Sequence, residues 1–162
     1  MKLRGYRSGD GGLLTGRWLP DELLAAPRPD WPVLAEPVTI PAPAGRLDEL
    51  LAVVDAVAFV RFCSVDWVAR RARLQIGLQE EAGEAALAVL ELAVEHATGI
   101  LGLRRLYGWV TLAQHAPTEL LAKAGFAYEA TIPRALWHGG AVLAREIWGR
   151  LADDGDATGG AA

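Results

Sequence analysis

Glu80, Glu81 and Glu84 crowd one short stretch of this chain around a single glycine, Gly83, and that grouping poses the first chemical question. The stretch runs from Ala72 to Ala86 and reads as a buried apolar strand, a tight loop and the opening of a long helix. Backbone N–H groups at such a turn converge on an anion such as a pyrophosphate. The three carboxylates carry the wrong sign for one. Glu84 has a structural explanation as well, since an acid in the first turn of a helix favours its dipole. The three histidines, His96, His115 and His138, lack metal-ligand spacing and stand beside no cysteine cluster, so no metal centre is expected. No Ser-His-Asp order, phosphate loop or dinucleotide fingerprint occurs, which leaves hydrolase, NTPase and oxidoreductase readings without support.

The elements that must position these residues follow from composition and pattern. A chain of 162 residues, 52% hydrophobic, can bury a sizeable core. We expect one domain over residues 1–151 and a flexible Asp-, Gly- and Ala-rich tail over 152–162, which has too little apolar surface to offset its ordering entropy. Seven of the nine prolines fall between Pro20 and Pro43, so residues 20–45 are expected to wrap the domain as loops. Trp18 and Trp31 within this front section either line a pocket or anchor the loops on the core. A net charge of −4 gives no electrostatic case for nucleic acid. No apolar run reaches bilayer length and the N-terminus lacks a secretory block, so the expectation is a cytoplasmic protein without membrane contact. Cys63 reads as a small buried packing residue, and Arg70, Arg71 and Arg73 as a solvated strand face.

Strands are expected at Leu50 to Val54, Ala56 to Val65 and Ala72 to Leu78, as an antiparallel meander with a turn at Asp55. Ala85 to Leu101 is apolar almost all round, with Glu84, Glu91, Glu95 and Thr98 forming one narrow polar stripe, and predicts a well-packed helix ended by Gly99 and Gly102. Arg105 to Leu112 returns to strand character within the same sheet. Thr118 to Ala124 predicts a short helix, with Pro117 suited to its first turn and Gly125 to its left-handed stop. Phe126 to Ile132 and Ala141 to Trp148 then form a hairpin about His138, Gly139 and Gly140. The fold class is α+β, with one central mixed sheet.

The succession from Val65 to Leu78, the glycine loop and helix, and Leu120-Leu121-Ala122-Lys123-Ala124-Gly125-Phe126 with its following hairpin resemble the GNAT acetyltransferase superfamily. The nearest flavour is that of the ribosomal-protein alanine and spermidine acetyltransferases. The resemblance covers about Lys2 to Leu151. It implies that two parallel strands, Ala72 to Leu78 and Arg105 to Leu112, splay apart, that the pantetheine arm of acetyl-CoA enters the V-shaped gap, and that an amine approaches from the far side. Cofactor contacts then fall on Ile76, Leu78, Glu81, Gly83, Ala85, Gln114 and Lys123. His115, beside Gln114 at the cofactor mouth, is the best proton shuttle, and Tyr107 on the cleft-facing strand is the second catalytic candidate. Trp31, Asp66, Trp109 and His138 are candidates for the acceptor side, although a turn-forming role explains Asp66 equally well.

Several positions depart from the pattern of this superfamily. Arg73 stands where many relatives carry a strand carboxylate, Leu121 where many carry a tyrosine acid, and Gln114 and Pro117 where an asparagine and a serine are usual. Relatives place Arg or Gln in the cofactor loop, where this chain has Glu80 in register with Gly83 and Ala85. A carboxylate about 5 Å from a pyrophosphate oxygen, at an effective dielectric near 20, costs on the order of 3 kcal/mol, or roughly a hundredfold in affinity. Backbone donors and the helix dipole offset part of that. The resemblance therefore implies an acyl-CoA-dependent N-acyltransferase, taking acetyl-CoA as cosubstrate and a small-molecule or peptide amine as acceptor. The alternative is a GNAT-fold protein that has lost transfer chemistry and serves as a ligand-binding or partner-binding module. Six tryptophans and an apolar C-terminal hairpin are consistent with a homodimer.

Overall fold

Apolar, β-branched segments separated by residues that tolerate left-handed backbone build most of the molecule. The computed structural model describes residues 1–27, 38–111, 117–138 and 140–153. Strands β1 (Leu3–Gly5), β4 (Leu50–Val54), β5 (Ala58–Asp66), β6 (Arg71–Leu78), β7 (Arg105–Val110), β8 (Ala127–His138) and β9 (Ala141–Leu151) form one sheet in the order β1-β4-β5-β6-β7-β9-β8. Two short strands, β2 (Thr15–Gly16) and β3 (Val38–Thr39), pair separately. The meander β4-β5-β6 is antiparallel, as expected, and turns at Asp55 (φ 45°) and Arg70 (φ 51°). A bulge between Cys63 and Asp66 carries β5 one residue further than its apolar pattern suggests, and β5 begins at Ala58 because residues 55–57 are spent in the turn.

Between β6 and the helix, Glu80–Ala85 forms a 3₁₀ turn. The helix proper, α1, spans Ala86–Glu95, and His96–Ile100 continues it as a π-helical turn in which Leu101 N–H donates to His96 O (3.0 Å). The continuous helix expected over Ala85 to Leu101 is thus divided among three helical geometries, which a side-chain periodicity near 3.6 does not distinguish. Ala86, Val89, Leu90, Ala93, Val94 and Ala97 bury against Val60, Phe62, Leu74 and Ile76 on one face of the sheet. On the other face Trp18 packs against Phe59, with ring centroids 5.4 Å apart, beside Leu14, Ile40 and Leu51. Trp18 therefore anchors the front loops on the core, and Cys63 is buried as expected. His96 stacks on Phe62.

Helix α2 (Thr118–Lys123) starts after Pro117 and stops at Gly125, whose φ of +82° is the left-handed turn that favours glycine. The β8-β9 hairpin is longer than its apolar pattern, because β8 runs on through a bulge between Ile132 and Leu136. No described helix is long and apolar enough to cross a membrane.

Candidate functional site

β6 and β7 are parallel neighbours, yet they pair only at Arg71 with Arg105, Ala72 with Leu106 and Arg73 with Tyr107. Beyond that point β5 continues alongside β6 and β9 alongside β7 to their ends, so the two parallel strands part and leave an opening in the middle of the sheet. Gly108 lies just past the last pair. A Cβ there would sit 2.6 Å from Leu23 Cδ1 and 2.9 Å from Leu74 O, so only glycine admits both neighbours at the apex of the V.

The opening is occupied by the chain's own residues Glu22 to Ala25. Leu23 N–H donates to Trp109 O (2.8 Å), Ala25 N–H to Ile76 O (2.8 Å), and Leu78 N–H to Ala25 O (3.0 Å). Glu22 bridges Trp109 and Ala25 bridges Gly77, both in parallel sense, so the segment crosses the gap like a short strap. Leu23 is wholly buried and Leu24 nearly so.

Glu22 fastens the strap to β7 and β9. Its carboxylate accepts hydrogen bonds from Thr111 N–H (2.9 Å), from the Thr111 hydroxyl, and from Arg145 Nη2 (3.0 Å). Arg145 also donates through Nε to Thr111 Oγ1 (3.1 Å) and through Nη2 to Pro20 O (3.0 Å), and its guanidinium lies 5.7 Å from the Trp109 ring centre. Burial raises the Glu22 pKa, while the Thr111 hydrogen bonds and the Arg145 charge oppose that rise. A second tie joins Asp21, at φ 64°, to Arg73 Nη2 (3.2 Å). Arg73 thus holds the strap where a carboxylate is usual in the superfamily it resembles.

The sequence-derived candidates fall at several places. Ile76 and Leu78 lie on the inner edge of β6, and Tyr107 and Trp109 on β7 at and beyond the split. Glu81, Gly83 and Ala85 share the 3₁₀ turn that leads into α1 at the same end of the sheet. A Cβ on Gly83 would meet nothing within 4 Å, so its backbone is open to approach. Lys123, at the end of α2, lines a cavity of about 450 Å³ with Glu91, Glu95 and Arg150. Asp66 sits apart from the gap: it accepts hydrogen bonds from Val68 N–H (3.1 Å) and Ala69 N–H (2.8 Å) in the β5-β6 turn and lies 3.6 Å from Arg71. That is the turn-forming role, in a hairpin at the opposite end of β6. His138 closes the β8-β9 hairpin opposite Ala141. Trp31, Gln114 and His115 lie outside the described residues.

A further cavity, of about 240 Å³, lies beside the strap and is lined by Trp18, Pro27, Leu78 and Gln79. The buried polar cluster that the sequence did not disclose is Glu22, Thr111 and Arg145. The available signal was an acid beside Leu23 and Leu24 and an arginine within the apolar run of β9.

A sheet whose central parallel strands part, with a helix opening at the mouth of the split, is the fold of the GNAT acetyltransferases, and this chain has it. Among solved structures it is similar to a point variant of the Vibrio cholerae spermidine N-acetyltransferase, at 19% identity over 93% of this chain and 95% of that one, with a TM-score of 0.71. A chimera combining that Vibrio cholerae enzyme with a second acetyltransferase gives 0.70 at 19% identity, over 93% and 94% of the two chains. A dodecameric form of the Vibrio cholerae enzyme gives 0.61 at 20% identity, over 65% and 66%. No protein-family model and no curated protein matches the chain.

Proposed function

We propose that this chain is an acyl-CoA-dependent N-acyltransferase that moves an acetyl group from acetyl-CoA to a primary amine. The observation that carries this reading is the parting of β6 from β7 beyond Tyr107, with the turn at Glu80–Ala85 opening α1 at the mouth of the gap. In the reaction a neutral amine attacks the thioester carbonyl carbon, a C–N bond forms as the C–S bond breaks, and the proton lost by the amine passes to the departing thiolate. Gly83 leaves room for a pyrophosphate near backbone donors. Ile76 and Leu78 are the backbone positions for the pantetheine arm, Glu81 and Ala85 belong to the turn at its entry, and Gln114 and Lys123 are the further candidates for cofactor contact. His115 and Tyr107 are the proton-carrying candidates, with Trp31, Trp109 and His138 toward the acceptor. The acceptor class is a small-molecule amine or a protein N-terminus. Because the similar solved structures are named as spermidine N-acetyltransferases, spermidine is the first acceptor to test.

A second reading, a binding module without transfer chemistry, is favoured by the strap, since Ala25 already takes Ile76 O and Leu78 N–H. Calorimetric titration with acetyl-CoA, followed by an assay for free CoA thiol in the presence of spermidine, separates the two. Binding and thiol release are expected. No heat and no thermal shift at millimolar cofactor, in the unaltered chain and in a folded variant whose strap is loosened, removes the enzyme.

A further inference from the structure

We propose that Asp21 to Ala25 is an internal gate on the gap between β6 and β7, and that a cofactor arm reaches the inner edge of β6 only when this strap has left it. The inference rests on the acyl-CoA reading above and adds how access to that site is controlled.

The groups an entering arm needs are already engaged. Of the main-chain groups that β6 and β7 expose beyond their last pair, Ile76 O, Leu78 N–H and Trp109 O are bonded to residues 23 and 25. An amide-bearing arm replaces these bonds one for one, so exchange leaves no buried donor or acceptor unpaired. Steric contact points the same way, because Leu23 fills the apex where Gly108 makes room, and nothing else fits there while it stays.

The strap is held by detachable ties. Apart from three main-chain bonds, it is fastened by Glu22 to Arg145 and Thr111 and by Asp21 to Arg73. It begins at Pro20 and Asp21, the latter at φ 64°, a left-handed turn that aspartate adopts more readily than most non-glycine residues. Leaving the gap exposes Leu23 and Leu24 and separates a buried ion pair, so the closed form dominates without ligand. The apparent affinity for the arm is then the intrinsic affinity multiplied by the open fraction.

Two variants and one exchange measurement test this. Ala25→Pro removes the N–H that bonds Ile76 O, and Leu23→Ala empties the apex; each loosens the closed form by a different route, and a thermal melt confirms which of them folds. Either folded variant is expected to bind acetyl-CoA at least tenfold more tightly than the unaltered chain. In the unaltered chain, saturating acetyl-CoA is expected to speed hydrogen exchange of the Leu23 and Ala25 amides while β6 remains protected. If acetyl-CoA binds and residues 22–25 stay as protected as before, the gate is refuted and the acyl-CoA reading survives. If neither the unaltered chain nor a folded variant binds at millimolar cofactor, the acyl-CoA reading fails and the gate fails with it.

Discussion

Glu22 shows how one side chain can fix the state of a site without facing solvent. Its carboxylate and the Arg145 guanidinium are both nearly inaccessible, and each supplies the only countercharge that the described structure gives the other. Removing one member of such a pair leaves the other buried and uncompensated. Glu22→Ala is therefore expected to lower unfolding free energy by about 3 kcal/mol, read from urea denaturation. Glu22→Gln, which keeps the shape and an acceptor for Thr111 N–H, is expected to lower it by less. Equal losses for the two substitutions mean that removal of the charge accounts for the whole effect, whereas a Glu22→Gln variant as stable as the unaltered chain means that the charge has no special role. Neither residue was legible as a pair in the sequence, because they are 123 positions apart.

At the scale of elements, the parting of β6 and β7 is the decisive feature, and it was partly readable. The apolar run Ala72 to Leu78, the alternation after Arg105 and the intervening helix read as two strands of one sheet, and the resemblance to the GNAT superfamily implied that they are parallel and part. What fills the space between them was not readable. Residues 20–27 lie in the proline-rich front and carry no strand-length pattern, so they read as loop. Their pairing is imposed by partners more than 50 positions away, whose edge groups are free only because the strands diverge. Gly108 marks the junction. Gly108→Ala places a methyl within 3 Å of both Leu23 and Leu74 O, and is expected to destabilise the protein by about 2 kcal/mol. Hydrogen exchange should show the loss concentrated at residues 22–25. A substitution that leaves both stability and those amides unchanged contradicts the close approach.

For the whole molecule, the front section couples the two faces of the sheet. The first strand is tied to the 3₁₀ helix that follows it, Ser8–Leu14, by a two-pronged contact in which Arg4 Nη1 and Nη2 each donate to Asp10 at 2.8 Å, and Arg7 N–H donates to Asp10 at 2.8 Å. The hydrogen bond from Arg4 and then that from Arg7 lower the Asp10 pKa from an ordinary 3.8 to about 2. A carboxyl depressed in the folded state stabilises it fully above the unfolded value, and that stability is lost as pH falls toward the folded one. Melting temperature is thus expected to decline between about pH 4 and pH 2 through this group. Asp10→Asn should flatten that part of the curve, measured by thermal denaturation across the acid range. An unchanged slope removes Asp10 from the acid response.

Local chemistry in the chain determined the strands, the short helix stopped at Gly125, the burial of Cys63, and the succession of elements that makes one mixed sheet. Those features depend on side-chain periodicity and backbone preference, which act over a few residues. Only the tertiary structure decided what stands inside the split. The unsatisfied main-chain edges of β6 and β7 select a distant segment by hydrogen bonding and shape, and hydrogen bonds to a backbone leave no signature in the residues that make them.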